Sequence, residues 1–150
     1  RRSAGRSVRP RRPRKAKSVK TPAILVARLL FAGAFLMAAS FKFVFMGMDA
    51  TAAEIARAGF PIPLILAWVA AFFELGLGLA FLTGAFFTEA AVLAAAYVLF
   101  LAFSFHGPGR WQANPMEFGF FVDHFTFIAG LLFAAVHGPG QTLVLRRRTV

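Results

Sequence analysis

An all-α fold, an integral membrane four-helix bundle, is predicted by three observations. Hydrophobic residues make up 59% of the 150 and charged residues 15%, against about a quarter charged in soluble domains. Four apolar stretches, roughly 23–46, 62–84, 88–106 and 118–138, each approach the ~20 residues that cross a bilayer core. Basic residues gather at the two ends: ten of the seventeen Lys and Arg precede residue 21, and Arg146, Arg147 and Arg148 close the chain. A soluble bundle would need a polar stripe along every helix, and these stretches have none. Twenty phenylalanines against one tyrosine fit sites that offer no hydrogen-bond partner.

Residues 1–22 read as a basic, flexible tail with too little apolar surface to fold alone. The chain begins at Arg1 rather than Met, so it is expected to be truncated or processed. A basic leader before an apolar run also fits a signal peptide. However, Ala23 to Met46 exceeds the usual signal core and no clean A-x-A site closes it, so an uncleaved membrane helix is preferred. Residues 23–145 form the membrane domain and 146–150 a second basic tail. Four crossings place both termini on one side, and the positive-inside rule makes that side the cytoplasm. A pI near 11.8 would ordinarily suggest nucleic acid. Tails flanking apolar spans are explained by anionic lipid instead, and nucleic acid is not expected as a partner.

In the first outer loop, Thr51-Ala52-Ala53-Glu54 has the spacing of a capping box. It predicts a short surface helix over 52–58, stopped by Gly59 and Pro61. The short 84–87 turn makes the second and third spans antiparallel neighbours. The loop from His106 to Glu117 carries Gly107-Pro108-Gly109 and the interfacial anchor Trp111. Small residues recur at helical spacing: Ala34 and Ala38 with Lys42, Ala67 and Ala70 or Ala71 with Glu74 and Gly78, Ala91 with Ala95. Such faces allow close helix contact in lipid. They also turn the ionisable groups toward the bundle interior.

Several segments together resemble the DoxX family. Arg28-Leu-Leu-Phe-Ala-Gly33 and Ser40-Phe-Lys42 are similar to its first helix. Gly59-Phe-Pro61-Ile-Pro63, Ala71-Phe-Phe-Glu74-Leu-Gly76-Leu-Gly78 and Leu82-Thr-Gly84 are similar to its second. Ile128-Ala-Gly130-Leu-Leu and Gly138-Pro139-Gly140 resemble its fourth helix and closing turn. The resemblance spans about 25–145. It implies a four-helix protein of the bacterial inner membrane, with relatives linked to quinone-dependent thiosulfate oxidation and to assemblies handling sulfur and oxidative stress. The chain departs from the family pattern at Thr88-Glu89, at Asp123-His124 and at Gln141 to Leu145.

The ionisable groups inside the spans are the candidate site: Lys42, Glu74, Asp123 and His124 for chemistry, and Lys42, His106 and His124 for a quinone. Counting ~1.5 Å per residue from the span ends puts Lys42, Asp123 and His124 about 6–9 Å deep and Glu74 about 18 Å deep. On this count Lys42 pairs with Asp123 if their spans are neighbours. Glu74 is out of reach of Lys42 and looks to Arg28, or stays protonated. Lys42, Asp123 and the two histidines would then line a pocket near the outer face, suited to a quinone head or a small anion. The competing reading makes these charges clips between helices. Haem is set aside because His106 and His124 differ in depth. No metal-binding spacing occurs and there is no cysteine. His137, at an inner helix end, is assigned no chemistry. The sequence favours an accessory or structural subunit of a membrane redox-linked complex, not catalytic alone. Its partners would be lipid and other membrane subunits. The alternative is a quinone-interacting oxidoreductase subunit.

Overall fold

Five α-helices form in the computed structural model, which describes residues 20–145. The basic segments 1–19 and 146–150 lie outside the described residues. Helix α1 runs Lys20–Ser40 and continues without a break as a π-helical segment, Phe41–Met46. Helix α2 is Met48–Arg57, α3 Pro63–Thr83, α4 Phe87–His106 and α5 Met116–His137, with a 3₁₀ turn Pro108–Arg110 between the last two. Four of these segments are long and apolar enough to cross a membrane. They match the four stretches read from the sequence to within a few residues. The chain is a multi-pass membrane protein, and the exposed Leu, Val and Phe side chains along its helices are its lipid contact.

The helices pack as two antiparallel pairs, α1 with α3 and α4 with α5, while α3 touches α4 and α1 touches α5 only lightly. The 84–86 turn does make α3 and α4 sequential neighbours, but their main partners lie elsewhere. The first and last described residues share one end with this turn, here the tail end; α2 and the α4–α5 loop cap the far end. Toward the tail end the pairs close on one core of small and aromatic side chains, including Ala32, Phe35, Phe81, Ala91, Ala94 and Leu131. Phe81 lies between Phe31, Phe35 and Phe87, with ring centroids 5.5 to 5.8 Å away. Such contacts supply much of the association energy where lipid tails are as apolar as the side chains.

The small-residue face of α3 is buried as expected: Ala67, Ala71 and Gly78 are all inside. Gly78 sets the register of the first pair. A Cβ there would lie 2.7 Å from the Leu36 side chain and 3.0 Å from its backbone nitrogen, so only glycine lets α1 come this close.

Two local expectations change. Thr51 is not an N-cap. Helix α2 starts at Met48, three residues before it, and the Thr51 hydroxyl donates to the Gly47 carbonyl at 2.9 Å, the back-bonding that a mid-helix threonine makes. Glu54 instead pairs with Arg57. Gly47, at φ +81°, makes the corner between the π-helical segment and α2, a conformation that favours glycine.

At the tail end Arg28 is only 1% exposed. It does not turn toward Glu74. Its Nη1 donates to the Pro139 carbonyl at 3.0 Å and its Nη2 to the Leu143 carbonyl at 2.8 Å. Gly84 approaches so closely that a Cβ would sit 3.2 Å from Arg28 Nη1. The Leu145 amide then donates to the Thr83 carbonyl at 3.0 Å. The segment after α5 is thus strapped across the tail end by one guanidinium.

Candidate functional site: a polar floor in an apolar cavity

Toward the far end the two helix pairs part, and the space between them is a cavity of about 860 Å³. Its walls are largely aromatic and aliphatic, with Phe41, Phe60, Phe73, Phe100 and Phe105 among them. Its few polar residues include Lys42, Glu74, Tyr97, His106 and His124. A smaller cavity of about 340 Å³ lies between α1, α4 and α5, and Ala38, Glu74, Tyr97, Leu101 and His124 line both. The larger space reaches lipid between α3 and α4, where Val69 and Phe100 are exposed. The smaller one carries the exposed Asp123 beside Ala34 and Phe127.

Glu74 is 2% exposed and accepts three hydrogen bonds. Lys42 Nζ donates to Oε1 at 2.8 Å and to Oε2 at 2.7 Å, and the Tyr97 hydroxyl donates to Oε1 at 2.8 Å. Three helices therefore meet on one carboxylate. A charged carboxylate buried this deeply persists only when paired and hydrogen-bonded, and here it is both.

The expected Lys42–Asp123 pair does not form, and the depth count that favoured it fails for two reasons. The span ends are not level. Leu36 sits against Gly78, Lys42 lies six residues beyond Leu36, and Glu74 four residues beyond Gly78 toward the same end; their backbones therefore differ by only ~3 Å in level. By the same count α3 overshoots the end of the π-helical segment by ~7 Å. Side chains also lean toward the N-terminus of their own helix, so in an antiparallel pair Lys42 leans down and Glu74 leans up. Asp123 has no hydrogen bond or ion pair among the described residues and faces the smaller cavity. Lys42 sits in the π-helical segment, a widened turn that is frequent at functional sites.

The histidines follow the same geometry. Phe103 and Phe121 stack edge to face at 5.2 Å, which leaves the backbones of His106 and His124 some 9 Å apart in level. Leaning toward each other, their rings nonetheless come to 5.0 Å between centroids. The difference in depth that set them apart in the sequence is bridged by the side chains. His124 Nδ1 donates to the Phe120 carbonyl at 2.6 Å, so the lone pair of its neutral ring is on Nε2. His106 Nδ1 donates to Glu117 Oε2 at 2.6 Å, and its carbonyl accepts from Trp111 Nε1 at 2.9 Å. His137 Nδ1 donates to the Phe133 carbonyl at 2.8 Å, far from both cavities. Among the described residues, no group of three His, Asp or Glu could hold a metal ion.

Two members of the site escaped the sequence reading. Tyr97 is the only tyrosine among twenty phenylalanines. A hydroxyl kept in mid-span at that ratio implies a buried partner. Glu117, in the first turn of α5, gave no signal beyond standing across a short loop from His106.

The family model described as DoxX matches residues 23–107. The chain belongs to the DoxX family. The match takes in α1 to α4, and with them Lys42, Glu74, Tyr97 and His106; Asp123, His124 and the similarities at 128–140 lie beyond it. No curated protein and no solved structure matches the chain.

Proposed function

We propose that this DoxX protein is a quinone-binding subunit of a membrane redox assembly. It holds the quinone head on the polar floor of the far-end cavity, while partner subunits supply or remove the electrons. The observation that carries this reading is the pair of unused valences at that floor. An ammonium has three N–H donors, and Glu74 takes two of those on Lys42. The third is left for a ligand carbonyl. His124 Nε2, left bare by the Phe120 bond, is an acceptor for a ligand hydroxyl and a carrier for its proton. One donor and one proton acceptor at the base of an aromatic-walled cavity suit a planar ring with oxygens on opposite edges. The neighbouring gaps between helix pairs give an isoprenoid tail a way out to lipid.

Quinone reduction takes up two electrons and two protons. Lys42, His124 and His106 suit the protons. The 150 residues contain no cysteine, so no thiol pair of this chain delivers the electrons, and a partner does. An accessory place in a larger complex is also supported by α5, in which Leu131 alone is fully buried and most other side chains are exposed. The flanking basic residues support a reading in which the tail end faces the cytoplasm of a bacterial cell and the cavity lies near the opposite face of the inner membrane.

Purification in mild detergent, followed by solvent extraction and chromatography of bound lipids, tests the reading. We expect close to one quinone per chain, lost in Lys42→Met while the protein stays folded. Wild-type protein that neither retains quinone nor binds added decylubiquinone would refute it.

A further inference from the structure

We infer that His124, His106 and Glu117 form a proton path between the cavity floor and water at the far end. The inference rests on the quinone reading for its purpose, though not for its geometry. The three groups stand in a row. His124 lines both cavities, its ring is 5.0 Å from that of His106, and His106 is bonded to Glu117 at 2.6 Å. The His106 and Glu117 side chains are partly exposed, at 26% and 18%, whereas Glu74 at the floor is buried. All three members of the row are thus partly exposed, beside a floor that is closed.

The hydrogen bonds also fix which ring nitrogens the proton uses. Each ring donates through Nδ1, to Phe120 in one case and Glu117 in the other, so each neutral ring has a bare Nε2. A proton taken up from the cavity at His124 Nε2 passes to His106 Nε2, directly or through one water. His106 then releases its Nδ1 proton to the Glu117 carboxylate, and Glu117 gives a proton to water. One proton enters and one leaves; no electron moves and no covalent bond to carbon changes. Return of the proton from Nε2 to Nδ1 by ring rotation or exchange resets His106. The same steps in reverse carry a proton from water to the floor, and the other ionisable groups around His124 stand off the row. Lys42 and Tyr97 are engaged with Glu74, and Asp123, which lines the smaller cavity together with His124, has no hydrogen bond or ion pair among the described residues. The Trp111 bond to the His106 carbonyl fastens the loop over the row.

The sequence holds only three histidines, so ¹⁵N-histidine NMR of the full chain in lipid nanodiscs can follow each one. The readout is the rate at which His124 exchanges between neutral and protonated forms near its own titration midpoint. Glu117→Gln and His106→Phe are each expected to slow that rate at least tenfold, while His137 and the Asp123→Asn variant keep the wild-type rate. An unchanged His124 rate in a folded Glu117→Gln protein would overturn the path, as would slowing caused by Asp123→Asn. Should His106→Phe fail to fold, Glu117→Gln decides alone. Decylubiquinone binding measured on the same samples separates the two ideas: its failure defeats the quinone reading and leaves the exchange rates to judge the path.

Discussion

The tail half and the far half of this bundle each bury a charge, and they satisfy it in opposite ways. Arg28 is closed over by backbone carbonyls and a glycine, with the residues after α5 strapped across it. Glu74 meets side chains from two other helices at the floor of a cavity. The first arrangement fastens chain segments through the two Nη atoms and leaves the buried Arg28 Nε without a partner among the described residues. The second leaves donor and acceptor valences facing open volume, which is what a ligand needs. A buried ion alone therefore does not mark a site in a membrane protein; the space beside it does.

The contrast can be broken most severely at Lys42. Lys42→Met strands a buried carboxylate, and breaking one side of such a pair costs about 3–5 kcal/mol. Thermal unfolding in detergent should show the loss, and the Lys42→Met/Glu74→Leu double variant should recover most of the stability without recovering quinone. A double variant that binds quinone would remove the pair from the site. Arg28→Leu comes next. It gives up two charge-assisted hydrogen bonds of about 1.5–3 kcal/mol each. We expect a lower melting temperature and faster proteolysis of the segment after α5, with quinone affinity per folded molecule unchanged. A selective loss of affinity would mean that the halves are not separate.

Gly78→Ala sharpens the comparison at the boundary between the halves. The added methyl meets Leu36, and overpacking of this kind costs about 1–3 kcal/mol. Because Gly78 sets the level of Glu74 against Lys42, cross-linking between cysteines placed on α1 and α3 should report a shifted register. Tyr97→Phe removes one hydrogen bond to a charged group and should cost no more than about 1.5–3 kcal/mol, with a modest weakening of quinone binding. Asp123→Asn, at an exposed position with no partner among the described residues, should change stability by less than about 0.5 kcal/mol. A larger loss in that last case would restore the ion pair that the sequence suggested.

The fold was legible in the sequence because span length and charge placement act over twenty residues and tolerate local error. The four spans follow from such long signals and the small-residue face of α3 from its helical spacing, whereas the short far-end helix was expected from a local capping box and begins earlier. The pairing of charges was not legible, because it depends on the relative level of two helices, which one close contact decides. Gly78 against Leu36 moved Glu74 into reach of Lys42, and the opposed lean of side chains on antiparallel helices brought the two rings at 106 and 124 together. Neither effect leaves a trace in spacing along a single helix. Thr51 illustrates the same limit on a small scale: Ser or Thr three residues before Glu describes a cap, but the corner at Gly47 let the helix begin earlier.

Photoaffinity labelling with an azidoquinone in native membranes, followed by peptide mapping, tests the central claim most directly. The account predicts adducts on half-buried residues lining the far-half cavity, such as Leu66, Phe73, Leu101 and Phe105, that excess decylubiquinone suppresses and that Lys42→Met abolishes. Adducts confined to the lipid-facing surface, or found equally around Arg28 at the tail end, would contradict it.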